Sequence, residues 1–211
     1  MLKRRAMIPT WRWVQGAGMS IALIASSGCG GAKYKAMAEA AQSELSPRTI
    51  AQDDWHKLHL HEALVVQQGF SGLISVYVFM ERAYLVGHVD RREQAEALLR
   101  TARTVAGLRS VEGYLPVKPS SADGGSANRT ASDLTLKAEI ASALALAPGV
   151  VKSRVHVEVL DGQVVLLGVV SGEDERVHAE AAAAGVNGVT GISNWLLLPE
   201  PQYMSLRRQI R

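Results

Sequence analysis

Three histidines stand close together in the chain, His56, His59 and His61. On a helix His56 and His59 share a face, and with further ligands they could hold zinc. No nearby Cys or Glu completes a tetrahedron at a workable spacing, so the triplet reads as polar positions on an amphipathic helix. Cys29 is the only cysteine, which rules out an intrachain disulfide. No serine sits in a nucleophile-elbow context. The carboxylates are scattered over helix starts and surfaces. The glycine-rich segments are a linker and turns, not a phosphate loop between strand and helix. These residues predict no catalysis, no metal and no cofactor.

Cys29 gains meaning from what precedes it. Lys3, Arg4 and Arg5 form a basic start, Val14 to Ala25 is small and apolar, and Ser26, Ser27 and Gly28 lead to the cysteine. This is the pattern of a secretory signal, placed at residues 1–28. The apolar run is short of the roughly 20 residues of a membrane span. Ser27-Gly28-Cys29 resembles the end of a bacterial lipobox, departing from it at Ser26, where leucine is usual. The resemblance implies cleavage before Cys29, acylation of its thiol (palmitate being one such chain) and a lipid anchor. Gly30, in place of the aspartate of inner-membrane retention, implies an outer-membrane, periplasm-facing location. The whole chain carries 23 Lys and Arg against 20 Asp and Glu. Lys3, Arg4, Arg5 and Arg12 leave with the signal, so 19 basic residues then face 20 acidic ones. The apparent basicity is therefore no argument for a nucleic-acid partner.

Composition, 47% hydrophobic and 20% charged, is that of a globular chain. Asp161-Gly162 interrupts two runs rich in Val and Leu. A two-residue turn between twisted strands needs positive φ at both positions, which Asp-Gly tolerates, so Val155 to Val170 reads as a hairpin. Its first arm alternates; its second is apolar on both faces and should be covered on both. Asp133 starts a helix to about Ala147, Ser171 to Asp174 cap another to about Ala184, and Ile192 to Leu198 is the last strand. The same order occurs earlier. Asp53 or Asp54 caps a helix to about Gln68, then come strands Ser75 to Phe79 and Ala83 to Val89. Asp90 and Glu93 have the spacing of a capping box for the next helix, closed by Gly107, and Val111 to Val117 is a third strand. An offset of 81 residues pairs Gly87 with Gly168, Gly107 with Gly188, Val111 with Ile192 and Tyr114 with Trp195. This is an internal repeat. The expected fold is α+β: two α-β-β-α-β modules, each a small three-stranded sheet with helices on one face. Module 1 spans 53–117 and module 2 spans 133–199. Residues 29–52 form a lipidated tether, 118–132 a linker and 200–211 a basic tail.

The residues of the second module, from the Asp-Gly turn and Gly168 through Ala179 and Ala183 to Gly188-Val189, Ile192, Asn194 and Leu196, resemble a BON domain. The first resembles a more divergent copy, with Glu81 where the turn glycine is expected. With the signal and Cys29, the whole resembles the dual-BON envelope lipoproteins of Gram-negative bacteria. That resemblance implies a non-enzymatic role in anionic phospholipid binding and outer-membrane integrity. The alternative is a periplasmic interaction scaffold, with an envelope protein as partner and lipid serving only as anchor.

Two surfaces could carry such a role. From Asp133 to Pro199 four basic residues face eight acidic ones, a net of −4, so the second module suits anionic lipid poorly. The basic candidates are Arg91, Arg92, Arg100 and Arg103 on the second helix and Arg207 and Arg208, with Arg211, in the tail. The other surface is the sheet face turned away from the helices. By strand parity it carries Tyr77, Phe79, Tyr84, Val86 and Tyr114 in one module and Val165, Leu167, Val169, Trp195 and Leu197 in the other. An exposed apolar sheet face needs a cover, and the expected cover is the sister module, sheet against sheet.

Overall fold

The computed structural model describes residues 43–68, 74–118 and 126–204. The signal, Cys29, Arg207, Arg208 and Arg211 lie outside the described residues. Module 1 is built from α1 (Pro47–Gln68), β1 (Ile74–Phe79), β2 (Arg82–Gly87), α2 (Arg92–Arg103) and β3 (Ser110–Tyr114). Module 2 repeats the order with α3 (Ser126–Leu146), β4 (Val155–Leu160), β5 (Gln163–Val169), α4 (Glu173–Ala184) and β6 (Gly191–Leu197).

Each sheet has three strands with the hairpin's second arm in the middle. β1 and β2 run antiparallel, and β2 and β3 parallel across the α2 crossover. β4, β5 and β6 repeat this pairing. A parallel neighbour needs such a crossover, and both helices of each module pack on the same face of its sheet. There the alternating valines meet them. Val76, Val78 and Leu85 pack with Leu60, Leu64 and Leu98; Val157, Val159 and Leu166 pack with Ile140, Leu144 and Ala179. The central strands β2 and β5 are buried on both faces. The opposite sheet faces meet each other, so the molecule is layered as helices, sheet, sheet, helices.

Several local expectations are corrected. α1 begins at Pro47 and α3 at Ser126, so neither Asp53, Asp54 nor Asp133 starts a helix. Ser46 does the capping of α1, its Oγ accepting the Thr49 N–H at 3.1 Å, with Pro47 following where its missing N–H costs nothing. The tether expected to reach Gln52 therefore gives way to folded chain earlier, and Leu45 is buried and bridged to Met204. The expected linker likewise shortens as α3 starts within it. Asp90 and Glu93 do not form a capping box: the side chain that reaches back is Gln94, whose Oε1 accepts the Asp90 N–H at 2.9 Å. In module 2, 81 residues on, Glu175 does the same for the Ser171 N–H at 2.7 Å.

The Met80-Glu81 link, which lacks a glycine, still closes as a two-residue turn between Phe79 and Arg82. Met80 and Glu81 adopt φ of 50° and 63°, as Asp161 and Gly162 do at 52° and 77°. Here the helical aspartates find their use. Asp53 accepts the N–H groups of Met80 and Glu81 at 2.8 and 3.1 Å. Asp133 accepts those of Asp161 and Gly162 at 2.8 and 3.0 Å.

Candidate functional surfaces

The face between the sheets is aromatic and apolar. Tyr84, Val86, Val165 and Leu167 are buried there, flanked by Tyr77, Phe79, Tyr114, Trp195 and Leu197. The Tyr84 and Trp195 rings sit 5.4 Å apart across the junction, and Phe79 reaches the His156 ring at 5.7 Å. Val169 belongs instead to a small neighbouring cluster with Leu45 and Met80. Burial pushes the Tyr84 phenol up to about 12, so the ring enters the junction uncharged.

Polar contacts rim this face. The Tyr77 hydroxyl donates to Glu158 at 2.6 Å, and Lys137 donates to the other Glu158 oxygen at 2.8 Å. Burial raises the Glu158 pKa, but the hydrogen bonds from Lys137 and Tyr77 outweigh it and hold the carboxyl below its usual value. His88 lies 2.9 Å from Asp161. The start of the expected basic tail is a strap on module 1. Glu200 takes Arg82 at 2.6 Å and Arg109 at 3.1 Å, and the Tyr203 hydroxyl donates to Glu81 at 2.9 Å.

Of the basic candidates, Arg91, Arg92, Arg100 and Arg103 are all exposed at or on α2. Glu96 draws on Arg92 and Arg100 at 3.9 and 3.7 Å, long and solvated contacts. Arg91 and Arg103 make no ion pair among the described residues. The equivalent helix α4 opens instead with Glu173, Asp174 and Glu175.

α1, the helix packed against α2, carries more than its core face. α1 has a second apolar face. Trp55, Leu58, Val65 and Val66 are exposed by 52%, 64%, 41% and 75%, while Leu60 and Leu64 fill the core. At 100° per residue the four exposed positions fall on one side of the helix. The signal was readable as a helix apolar on two faces. The matching positions of α3, aligned through Asp53 and Asp133, are Thr135, Ala138, Ala145 and Leu146. At the first three of these positions the fold therefore does not require bulk, while Leu146 is itself 84% exposed.

The histidine triplet disperses. His56 is buried, its Nδ1 without a hydrogen-bond partner and its ring against Gly107, where a Cβ would lie 2.3 Å from Nε2. His59 turns back to the Trp55 carbonyl at 2.9 Å, and His61 is exposed. Among the described residues no three His, Cys, Asp or Glu side chains gather to hold a metal. A cleft of about 350 Å³ opens at the module junction, with Tyr77, Phe79 and His156 below and Lys57 and Asp54 at its edge.

The sequence profile of the BON domain matches residues 52–119 and 132–198. The chain belongs to the BON-domain family. The two matches coincide with the two modules, one profile match for each sheet and its helices. This BON-domain protein is similar to osmotically-inducible protein Y of Escherichia coli strain K12, being 37% identical to it over 122 residues, 57% of this chain and 59% of the relative. The chain thus spans less than two thirds of that relative's length. Among solved structures it is similar to the C-terminal domain of CdsD, the structural protein of the type III secretion system of Chlamydia trachomatis. That likeness has 16% identity and a TM-score of 0.28 over 70% of this chain and 67% of that one. A second CdsD structure gives 15% identity and a TM-score of 0.29 over 68% and 94%. Likeness at this level carries no argument about function. Among the described residues no helix is long and apolar enough to cross a membrane.

Proposed function

We propose that this BON-domain protein is a non-enzymatic, periplasm-facing envelope protein, anchored in the outer membrane by acylated Cys29. Its first module lies against anionic phospholipid and supports the integrity of the envelope. The observation that carries this reading is the exposed apolar stripe of α1, the helix that packs against α2 and its exposed arginines. Amphipathic surfaces bind a lipid interface by burying apolar side chains while cationic ones meet anionic headgroups. Tryptophan favours that interface. The second module exposes Leu134, Leu146 and Val177 on its helices, but its α4 opens with acidic residues where α2 carries arginines, so it lacks the cationic half of this pair. Kinship with an osmotically inducible protein fits a role under envelope stress.

The test is flotation of the chain from Ser43 onward with vesicles of anionic or zwitterionic lipid. An arginine at an anionic surface contributes about 1 kcal/mol. Arg91→Glu with Arg92→Glu should therefore weaken binding by roughly thirtyfold or more at low salt, and less at high salt. Trp55→Ala should weaken it at both. Equal flotation of wild type and both variants at low salt rejects this surface. The anchor is tested separately: the full chain should partition into detergent and the Cys29→Ala chain should not. One acyl chain holds only marginally, so stable partition requires more than one.

A further inference from the structure

Two lysines hold equivalent places in the repeat. Aligned through Asp53 and Asp133, Lys57 on α1 matches Lys137 on α3. The strand residues in front of them match as well, Tyr77 on β1 with Glu158 on β4, 81 residues apart. In module 2 the lysine meets a carboxylate: Lys137 donates to Glu158 at 2.8 Å. In module 1 a phenol ring stands in the carboxylate's place. Lys57 lies over that ring, its Nζ 5.7 Å from the Tyr77 centroid, and makes no ion pair among the described residues.

The place that a carboxylate fills in module 2 opens in module 1 onto the junction cleft of about 350 Å³. Small-molecule sites run from about 300 to 1,000 Å³. The floor of the cleft is aromatic. Tyr77 and Phe79 stack with centroids 6.2 Å apart, and His156 from the other module stacks on Phe79 at 5.7 Å. Leu45, Ile50 and Val169 add aliphatic walls. Two other charged groups of the lining are already engaged. Arg154 takes Glu44 and Glu175, and Asp53 holds the turn N–H groups of Met80 and Glu81. Asp54 is exposed at the edge, where it opposes a second negative charge on a ligand.

We propose that the cleft binds a small monocarboxylate with a flat apolar body. The carboxylate of the ligand takes the Lys57 ammonium as Glu158 takes that of Lys137. Its body lies on the Tyr77, Phe79 and His156 rings, where offset stacking adds to apolar burial. Both modules supply the floor, so the ligand bridges them. The site uses neither Trp55 nor the arginines of α2 and is independent of the lipid reading.

The test uses the full chain in a non-ionic detergent, with naphthoate as the probe and naphthylmethanol as its uncharged counterpart. Titration of detergent alone fixes the free concentration of each. NMR signals of the Tyr77, Phe79 and His156 rings report on this cleft. Naphthoate should shift them saturably, and the alcohol should bind about fivefold more weakly. Lys57→Met removes the charge and keeps an unbranched stem over Tyr77. It should weaken naphthoate by about the same factor and leave the alcohol unchanged. Lys57→Arg should keep naphthoate bound. Arg91→Glu with Arg92→Glu, which tests the lipid surface, should bind naphthoate as wild type does. Rings that do not shift overturn the proposal. So does an alcohol held as tightly as naphthoate, or a Lys57→Met chain that binds naphthoate like wild type.

Discussion

Glu175 shows how much one buried carboxylate can organise. Only 3% of it is exposed. It accepts the N–H of Val151 at 2.8 Å, the N–H and hydroxyl of Ser171 at 2.7 Å each, and Arg154 at 3.0 Å. Arg154 also reaches Glu44 at 2.5 Å, which ties the chain before α1 to module 2. Burial raises the Glu175 pKa, but these donors outweigh it and hold the carboxyl below its usual value. Glu175→Ala should cost about 1–3 kcal/mol, because it removes the charged acceptor of the Val151 and Ser171 N–H groups, while Arg154 keeps Glu44. Gln94 makes the corresponding reach in module 1 at a more open site, and Gln94→Ala should cost only about 1 kcal/mol. Urea unfolding of the two variants checks the contrast. The pH dependence follows from the same group. Its folded pKa lies below the ordinary 4.5, so the unfolded chain takes up the proton first as pH falls. The stabilisation is complete above that value and drains away as pH drops toward the folded pKa. Urea midpoints followed from neutral pH into the carboxylate range should fall for wild type and fall less for Glu175→Gln.

At the scale of the element, the two hairpins reach one geometry from different sequences. Asp161-Gly162 favours the turn by itself. Met80-Glu81 does not, since left-handed backbone costs a non-glycine residue about 1–2 kcal/mol. Asp53 compensates by accepting both turn N–H groups from the helix behind them. Met80 is wholly buried, which removes water as an alternative partner. Asp53→Ala should therefore cost about 1–3 kcal/mol through the orphaned donors, and more than Asp133→Ala. Hydrogen exchange at residues 80–82 and 161–163 reports each turn separately. Equal loosening of both turns would show that the glycine does not relieve the second one.

At the scale of the molecule, stability resides partly between the modules. Tyr84 is almost wholly buried against Trp195, and an aromatic truncated in such a site costs about 3–5 kcal/mol because a cavity remains. Tyr84→Ala should loosen hydrogen exchange in both modules, as should Trp195→Ala from the other side with a smaller effect. Loss confined to the mutated module would mean that the two fold independently. Glu158 joins the modules through Tyr77, and its pKa too lies below the ordinary value. Acid that protonates it removes a charged acceptor from the junction. Tyr77→Phe should therefore reduce the pH sensitivity of the junction while leaving each module's own helices protected.

The sequence alone determined the repeat, the order of elements and the inward faces of the strands, because these follow from local periodicity. Alternation at a spacing of two gave Val157 and Val159 one direction and Glu158 another, whatever the rest of the chain did. Turn chemistry was equally local at Asp161-Gly162. It was not at Met80-Glu81, where the decisive residue is Asp53, 27 residues away and in another element. The same distance hid the roles of Asp133 and Glu175. A helical aspartate looks like a cap until the fold shows which backbone it meets, and a helix start is set by Ser46 and Pro47 as much as by apolar spacing. Tertiary structure alone decided which apolar residues stay outside. Trp55 and Leu58 have core-like composition, yet Leu60 and Leu64 win the sheet, since a helix turns only one side toward it. The sheet faces had the opposite outcome: two apolar surfaces, one rich in aromatics and one mostly aliphatic, meet because each module leaves one uncovered.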